Sequence, residues 1–255
     1  MNTLKDLYLS RREKLACKVR EISGSGIVIL GTAIEVSRNR DSHFPYRHDS
    51  DFFYLTGFEE PESFLVLQIK HGECISHLFC RPKNLEREIW DGIRMGPEGA
   101  KLNLGVHFSY SIEEMQTIMP ELMLNFQHVY YRTANSPSMD ENMRNWVSHI
   151  GNKSRQGIQT PSEFHDVDKI IHDLRLFKDE TEISTMRKAA KIAAQGHLMA
   201  MRTCKPGLQE YHLEAELLYQ FRKSGAQSVA YNSIVATGPN ACILHYRAGN
   251  SFLKD

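Results

Sequence analysis

The chain has 255 residues, 41% of them hydrophobic, which is enough for one large domain or two ordinary ones with real cores. Its 31 basic and 31 acidic side chains cancel, so no charge excess points to nucleic acid as a partner. No apolar run approaches the ~20 residues that cross a bilayer, which argues against a membrane protein. The charged segment from Met1 to Arg20 lacks the apolar stretch of a secretory signal, and its Asp6 and Glu13 do not suit a transit peptide.

Residues 3–20 read as an amphipathic helix, broken by Ser23-Gly24-Ser25-Gly26. Ile27-Val28-Ile29-Leu30 has no polar face for water and predicts a strand buried on both sides. Phe64–Gln68 and Ile75–Cys80 repeat that signal around a His71-Gly72 turn. Cys74 and Cys80 share strand parity, so both thiols face one side. With Cys17, Cys204 and Cys242 they make five cysteines without C-x-x-C spacing, which fits free thiols in a reducing cytoplasm. A helix over Ile112–Met123, a strand over His128–Tyr131 and a helix over Met139–Ile150 complete an alternation that indicates an α/β domain up to about residue 155.

Gly151 to Gly157 contains no apolar residue and reads as a linker. Beyond it, Asp179 and Glu182 form a capping box for a long helix from Glu180 to Cys204. Ile183, Met186, Ala190, Ala193, His197, Ala200, Met201 and Cys204 fall on one stripe at helical spacing. Pro206-Gly207 ends that helix, and a second one from about Gln209 to Lys223 directs Leu213, Leu217 and Phe221 inward. Tyr231–Ala236 and Ala241–Tyr246 predict an antiparallel hairpin around Thr237-Gly-Pro-Asn240. Lys254-Asp255 reads as half of a tight turn, so the sequence is expected to continue beyond it.

No G-x-S-x-G elbow, phosphate-binding loop or H-E-x-x-H motif is present, and each absence removes a common catalytic class. His212 and Glu216 sit one helical turn apart and could share an ion, but two ligands are too few, and a solvated i,i+4 pair is the plainer account. His43 and His48 flank Pro45 in a loop without fixed spacing. His197, inside the apolar stripe, reads as a satisfied core imidazole. His245 closes the predicted strand beside Tyr246, where an imidazole can donate to a substrate or a developing oxyanion, or can simply be structural. Trp90 stands in a charged setting, either at an interface or folded back on its own domain.

Several longer motifs carry a resemblance. Asp41-Ser-His-Phe-Pro-Tyr-Arg47, Ser50-Asp-Phe-Phe-Tyr-Leu-Thr-Gly-Phe58, Glu60-Pro-Glu62 and Glu88-Ile-Trp-Asp-Gly92 resemble the N-terminal domain of bacterial Xaa-Pro aminopeptidases. Glu163 to Lys178, with Arg175-Leu-Phe-Lys178, and Lys205 to Glu214 are similar to the same family. Tyr231-Asn-Ser-Ile-Val and Cys242-Ile-Leu-His-Tyr246 look like the opening strands of its catalytic domain. The resemblance implies a mixed-sheet α/β domain of the creatinase/aminopeptidase P N-terminal type over residues 1–155. A linker and lead-in (156–178) would follow, and then the first, incomplete part of an α+β pita-bread domain (179–255).

In that family two divalent ions, usually manganese, are held by two Asp, one His and two Glu, and generate the hydroxide that attacks the bond before proline. Carboxylate-rich ligation suits a hard ion such as manganese. By this resemblance none of the five ligands falls in these residues, so the chain itself is expected to be inactive and to expose apolar surface in its second part. His245 matches a substrate-contacting position. Asp41 and Trp90 match positions that reach a neighbouring subunit's active site in oligomeric members. The implied partners are peptides with proline second and further copies of the chain. Prolidase, which shares fold and metals but takes dipeptides, is the nearest enzymatic alternative, and a non-catalytic oligomerisation module is the other.

Overall fold

A computed structural model describes residues 4–153 and 157–254. The chain divides into two compact units, Met1–Leu176 and Phe177–Asp255. Thr3, at the start of the first expected helix, and the centre of the expected linker (Ser154 to Gln156) lie outside the described residues.

In the first unit the elements run α1 (Leu4–Ser23), β1 (Gly26–Gly31), β2 (Ser37–Asn39), β3 (Ser42–His43), α2 (Ser50–Thr56), β4 (Phe64–Lys70) and β5 (Glu73–Cys80). Then follow α3 (Leu85–Asp91), α4 (Gly96–Leu104), β6 (Phe108–Ser111), α5 (Met115–Leu122), β7 (His128–Tyr131), α6 (Pro137–Gly151), β8 (Glu163–Asp166) and α7 (Asp168–Leu176). Six strands form one mixed sheet in the order β6-β5-β4-β1-β7-β8. The β1–β4 and β4–β5 pairs are antiparallel, while β1–β7, β5–β6 and β7–β8 are parallel. His71 and Gly72 both take positive φ, 54° and 82°, in the two-residue connection of β4 to β5, which is the backbone such a tight hairpin requires.

Strand alternation sorts the core into two layers. Val28, Leu30, Leu65, Leu67, Leu78 and Tyr130 pack under α1, α2, α4 and α7. Ile27, Ile29, Val66, Phe79, Val129 and Tyr131 pack under α5 and α6. Cys74 and Cys80 lie on the first of these faces, as their parity requires, and all five cysteines are free. Burial pushes both of these strand thiols up to about 11, so neither is a ready nucleophile.

Two arginines organise the helix ends on that face. Arg12 is 2% exposed, and its guanidinium donates to the carbonyls of Leu55 (2.9 Å), Leu104 (3.0 Å) and Gly105 (2.8 Å), tying α1 to the C-termini of α2 and α4. Burial lowers its pKa to about 10, still well above neutrality. Arg132, at the end of β7, donates to Asp49 (2.7 Å), Asp168 (2.5 Å) and the buried Asp51, and Arg175 of α7 also donates to Asp51. Burial alone would lower the Arg132 pKa, but the Asp168 and Asp49 carboxylates outweigh it and raise it.

The boundary expected near residue 155 is thereby corrected. β8 pairs with β7 in register, and Val167 and Ile171 are buried in the first core, so the stretch expected as a lead-in is built into the first unit. Sequence reasoning missed it because Glu163-Phe-His-Asp166 is polar at an exposed sheet edge, without the apolar run that marks a central strand.

The second unit contains α8 (Glu180–Thr203) and α9 (Glu210–Lys223). The predicted cap is present: Asp179 accepts from the Glu182 N–H and Glu182 from the Asp179 N–H, both at 2.9 Å. The packing stripe is shifted. Gly196 is the buried residue of α8 and meets Phe221 of α9, while Met186, Ala190, His197, Met201 and Cys204 are exposed. His197 is therefore a surface residue. The smallest side chain, not the apolar ones, sets where two helices approach most closely. Leu213 is buried, as expected. The predicted hairpin does not form, and in its place Gly238–Cys242 is a 3₁₀ helix followed by a turn at His245.

Candidate functional site

The polar centre of the second unit is Glu210, at the first turn of α9. Its side chain is fully buried. Oε1 accepts from the Thr237 N–H (2.8 Å) and the Asn240 amide (3.1 Å); Oε2 accepts from the Tyr246 hydroxyl (2.8 Å) and the Gly249 N–H (3.0 Å). Burial by itself would raise the Glu210 pKa, but these four donors outweigh it and hold the group near 2. Backbone groups add a second seam: Tyr211 donates to Gly249, Glu210 to Ser251, and Leu253 to Leu208. The segment 237–253 is thus folded around the start of α9.

That network explains the lost hairpin. The N–H groups of Thr237 and Gly249, which a ladder or water would otherwise take, point at one carboxylate. Asn240 and Tyr246 bridge to it from either side of the turn, with the Asn240 amide 2.9 Å from the Tyr246 hydroxyl. His245, directly before Tyr246, is exposed in the turn the network fixes. An imidazole on a rigidly held, solvent-facing turn can donate a hydrogen bond or pass a proton to a molecule bound there. His212, one of the two residues weighed as an ion-binding pair, instead accepts from the Gln209 N–H (3.0 Å) as part of the α9 cap.

The other two expected site residues belong to the first unit. Asp41 is exposed in the turn between β2 and β3, and Trp90 is 84% exposed on α3. Leu85, Ile89 and Ile93 around it are 82%, 81% and 86% exposed, so Trp90 is not folded back on its domain. His43 is exposed on β3, while His48 stacks on Phe53 at 4.4 Å. Glu210 is the residue that sequence reasoning passed over. Its only signal was a carboxylate at a helix start ahead of an Asn- and Tyr-bearing loop.

Among the described residues, the two clusters able to hold an ion lie in the first unit, and the second unit assembles none. The residues present therefore do not fit the dimetal centre that the family resemblance implies.

A mixed-sheet α/β domain followed by a helical unit whose loop is pinned by a buried carboxylate defines a two-part chain, and family models identify both parts. Residues 8–130 match "Aminopeptidase P, N-terminal domain", and residues 184–255 match "Metallopeptidase family M24". The chain is 37% identical over 250 residues to the Xaa-Pro aminopeptidase of Escherichia coli K12, covering 97% of this chain and 56% of that protein. It is 31% identical to human Xaa-Pro aminopeptidase 3, covering 50% of it. The solved Pseudomonas aeruginosa aminopeptidase PepP superposes with a TM-score of 0.94 at 44% identity, over 100% of this chain and 57% of that one. A zinc-substituted E. coli aminopeptidase P in complex with product gives 0.95 at 35%. The chain belongs to the aminopeptidase P family. It corresponds to the N-terminal portion of Xaa-Pro aminopeptidases and spans about half the length of the curated relatives it matches.

Proposed function

We propose that this chain supplies the N-terminal domain and the first substrate-facing turn of a dimetal Xaa-Pro aminopeptidase. The whole enzyme releases an N-terminal residue that precedes proline, uses manganese and works in the cytoplasm. The observation that supports this reading most strongly is the collinear match of both family models to one chain. Among the described residues no helix is long and apolar enough to cross a membrane.

In this reading His245 contacts substrate and donates to the oxyanion that forms when the scissile carbonyl is attacked, a role worth roughly 10²–10³ in kcat for a single donor. Glu210 acts through it by holding the turn. Asp41 and Trp90 project from one copy toward the substrate site of another. The exposed α3 cluster is the specific feature that also favours a self-association role, because apolar side chains presented together and rimmed by charge mark an interface.

Two assays test the proposal. The purified 255-residue chain, given manganese and a peptide with proline second, is expected to show no turnover. A chimera that joins it after Asp255 to the remainder of the E. coli relative is expected to release the residue before proline, and His245→Ala in that chimera to lower kcat about 100-fold or more. Steady turnover by the chain alone overturns the first expectation. A folded, manganese-loaded chimera that cleaves dipeptides but not longer peptides favours prolidase and overturns the second.

A further inference from the structure

The β7–β8 pair brings together three side chains that neither the family assignment nor the proposed activity uses. The parallel register sets His128 opposite Glu163 and Tyr130 opposite His165. Alternation then puts His128, Glu163 and His165 on one face of the sheet. His128 Nδ1 lies 3.1 Å from His165 Nε2 and 3.3 Å from Glu163 Oε2, and His165 Nε2 lies 3.9 Å from that same oxygen. A triangle with those sides has its centre about 2 Å from every corner, which is the length of a zinc–nitrogen or zinc–carboxylate bond.

We propose that His128, Glu163 and His165 form a binding site for a zinc-class divalent ion, with water in the fourth position. Two of the three ligands are held from behind, as metal ligands require. Glu163 Oε1 accepts from the Gln127 side-chain amide at 2.8 Å, which turns Oε2 toward the imidazoles. The His165 ring stacks on Tyr130 at 4.6 Å and 19°, and the buried Tyr130 is fixed in turn by donating to Ser23 Oγ at 2.9 Å. Side-chain exposures of 17%, 32% and 47% for His128, His165 and Glu163 leave one side open for an ion to arrive and for water to complete a tetrahedron.

The donor set selects the ion class. Two imidazole nitrogens and one carboxylate suit zinc and its borderline neighbours, while magnesium and calcium prefer oxygen alone. The second cluster in this unit, Asp51 with Asp168 and His172, differs because Arg132 and Arg175 already occupy its carboxylates. At the β7–β8 site no guanidinium or ammonium group fills that place among the described contacts, and the three atoms face each other. β8 is the sheet's outer strand, so an ion here would clip the edge of the sheet to its neighbour.

The test uses the whole chain, stripped of metal by a chelator and titrated with zinc chloride against a competing chromophoric chelator. One equivalent is expected to bind and to raise the melting temperature, because the ion binds the folded state. His128→Ala and His165→Ala are expected to weaken binding at least about 100-fold, and Gln127→Ala roughly 10–100-fold, the usual range for losing an outer partner. His197→Ala, on the exposed face of α8, should change nothing. His165→Gln, with unchanged far-ultraviolet circular dichroism, covers the case in which an alanine variant misfolds. Absence of a saturable single equivalent in the wild type, or undiminished binding in folded His165→Gln, overturns the proposal. The first of these results leaves a plain imidazole–imidazole hydrogen bond as the explanation of the 3.1 Å contact.

Discussion

Single residues carry two consequences that sequence spacing does not announce. Glu210 gathers four donors from a loop that contains no other regular structure but a 3₁₀ turn. Replacing it by Gln keeps the shape but removes the charge and puts an N–H₂ where an acceptor stood, leaving buried donors unpaired. In Glu210→Gln the amides of Thr237 and Gly249 are expected to exchange with solvent much faster than in the wild type; unchanged exchange would refute the anchoring role. The same loop should loosen in acid. A carboxylate held near 2, against 4.5 when free, contributes stability above 4.5 and loses it as pH falls toward 2. His77 gives the opposite kind of group. Burial first, and His107 second, lower its pKa from 6.5 to about 4. Between those values the unfolded chain takes up a proton that the folded chain refuses, so stability falls as pH drops from 6.5 toward 4, by about 3 kcal/mol at the limit. Denaturant midpoints at pH 7 and 4.5 should show a smaller drop for His77→Gln, and an equal drop would remove His77 as the cause.

At the scale of elements, what could be read in advance depended on where the stabilising partner sits. The capping box at Asp179–Glu182 and the β4–β5 hairpin are local, and their residues announce them. β8, the α8 stripe and the loop around Glu210 take their form from distant partners: β7, Phe221 and a carboxylate 27 residues upstream of Thr237. Gly196 makes the case testable. In an isolated helix, Gly→Ala gains about 1 kcal/mol. Here a Cβ at Gly196 would stand 2.5 Å from the Phe221 ring, so Gly196→Ala is expected to cost about 1–3 kcal/mol instead. Thermal melts of Gly196→Ala, alone and combined with Phe221→Leu, check this. A stabilised single variant would contradict the close approach, and recovery in the double variant would support it. Among candidate site residues, the resemblance pointed to His245, Asp41 and Trp90, but the β7–β8 triad stayed hidden because its members share a face only once β8 is known to pair.

The whole molecule presents apolar surface in both units. In the first, α3 and its flank offer Leu85, Ile89, Trp90 and Ile93; in the second, Met201, Tyr231, Leu244 and Phe252 are more than half exposed. A second copy of the chain is the partner proposed for α3, since copies meeting there would cover apolar groups that water otherwise surrounds. Light scattering of the wild type is expected to show a species larger than the 29.3 kDa monomer, and Leu85→Glu with Ile89→Lys to reduce it. If mass is independent of these substitutions, self-association runs through another surface.

Arg12 completes its contacts late in synthesis. The amphipathic helix that bears it leaves the ribosome well before its carbonyl partners at Leu104 and Gly105, which follow 92 and 93 residues later. At elongation speeds of about 5–20 residues per second, Arg12 waits roughly 5–20 s for those two carbonyls. Its guanidinium meets the Leu55 carbonyl after 43 residues, so the first core gathers around a cation whose last two acceptors come only with the end of α4.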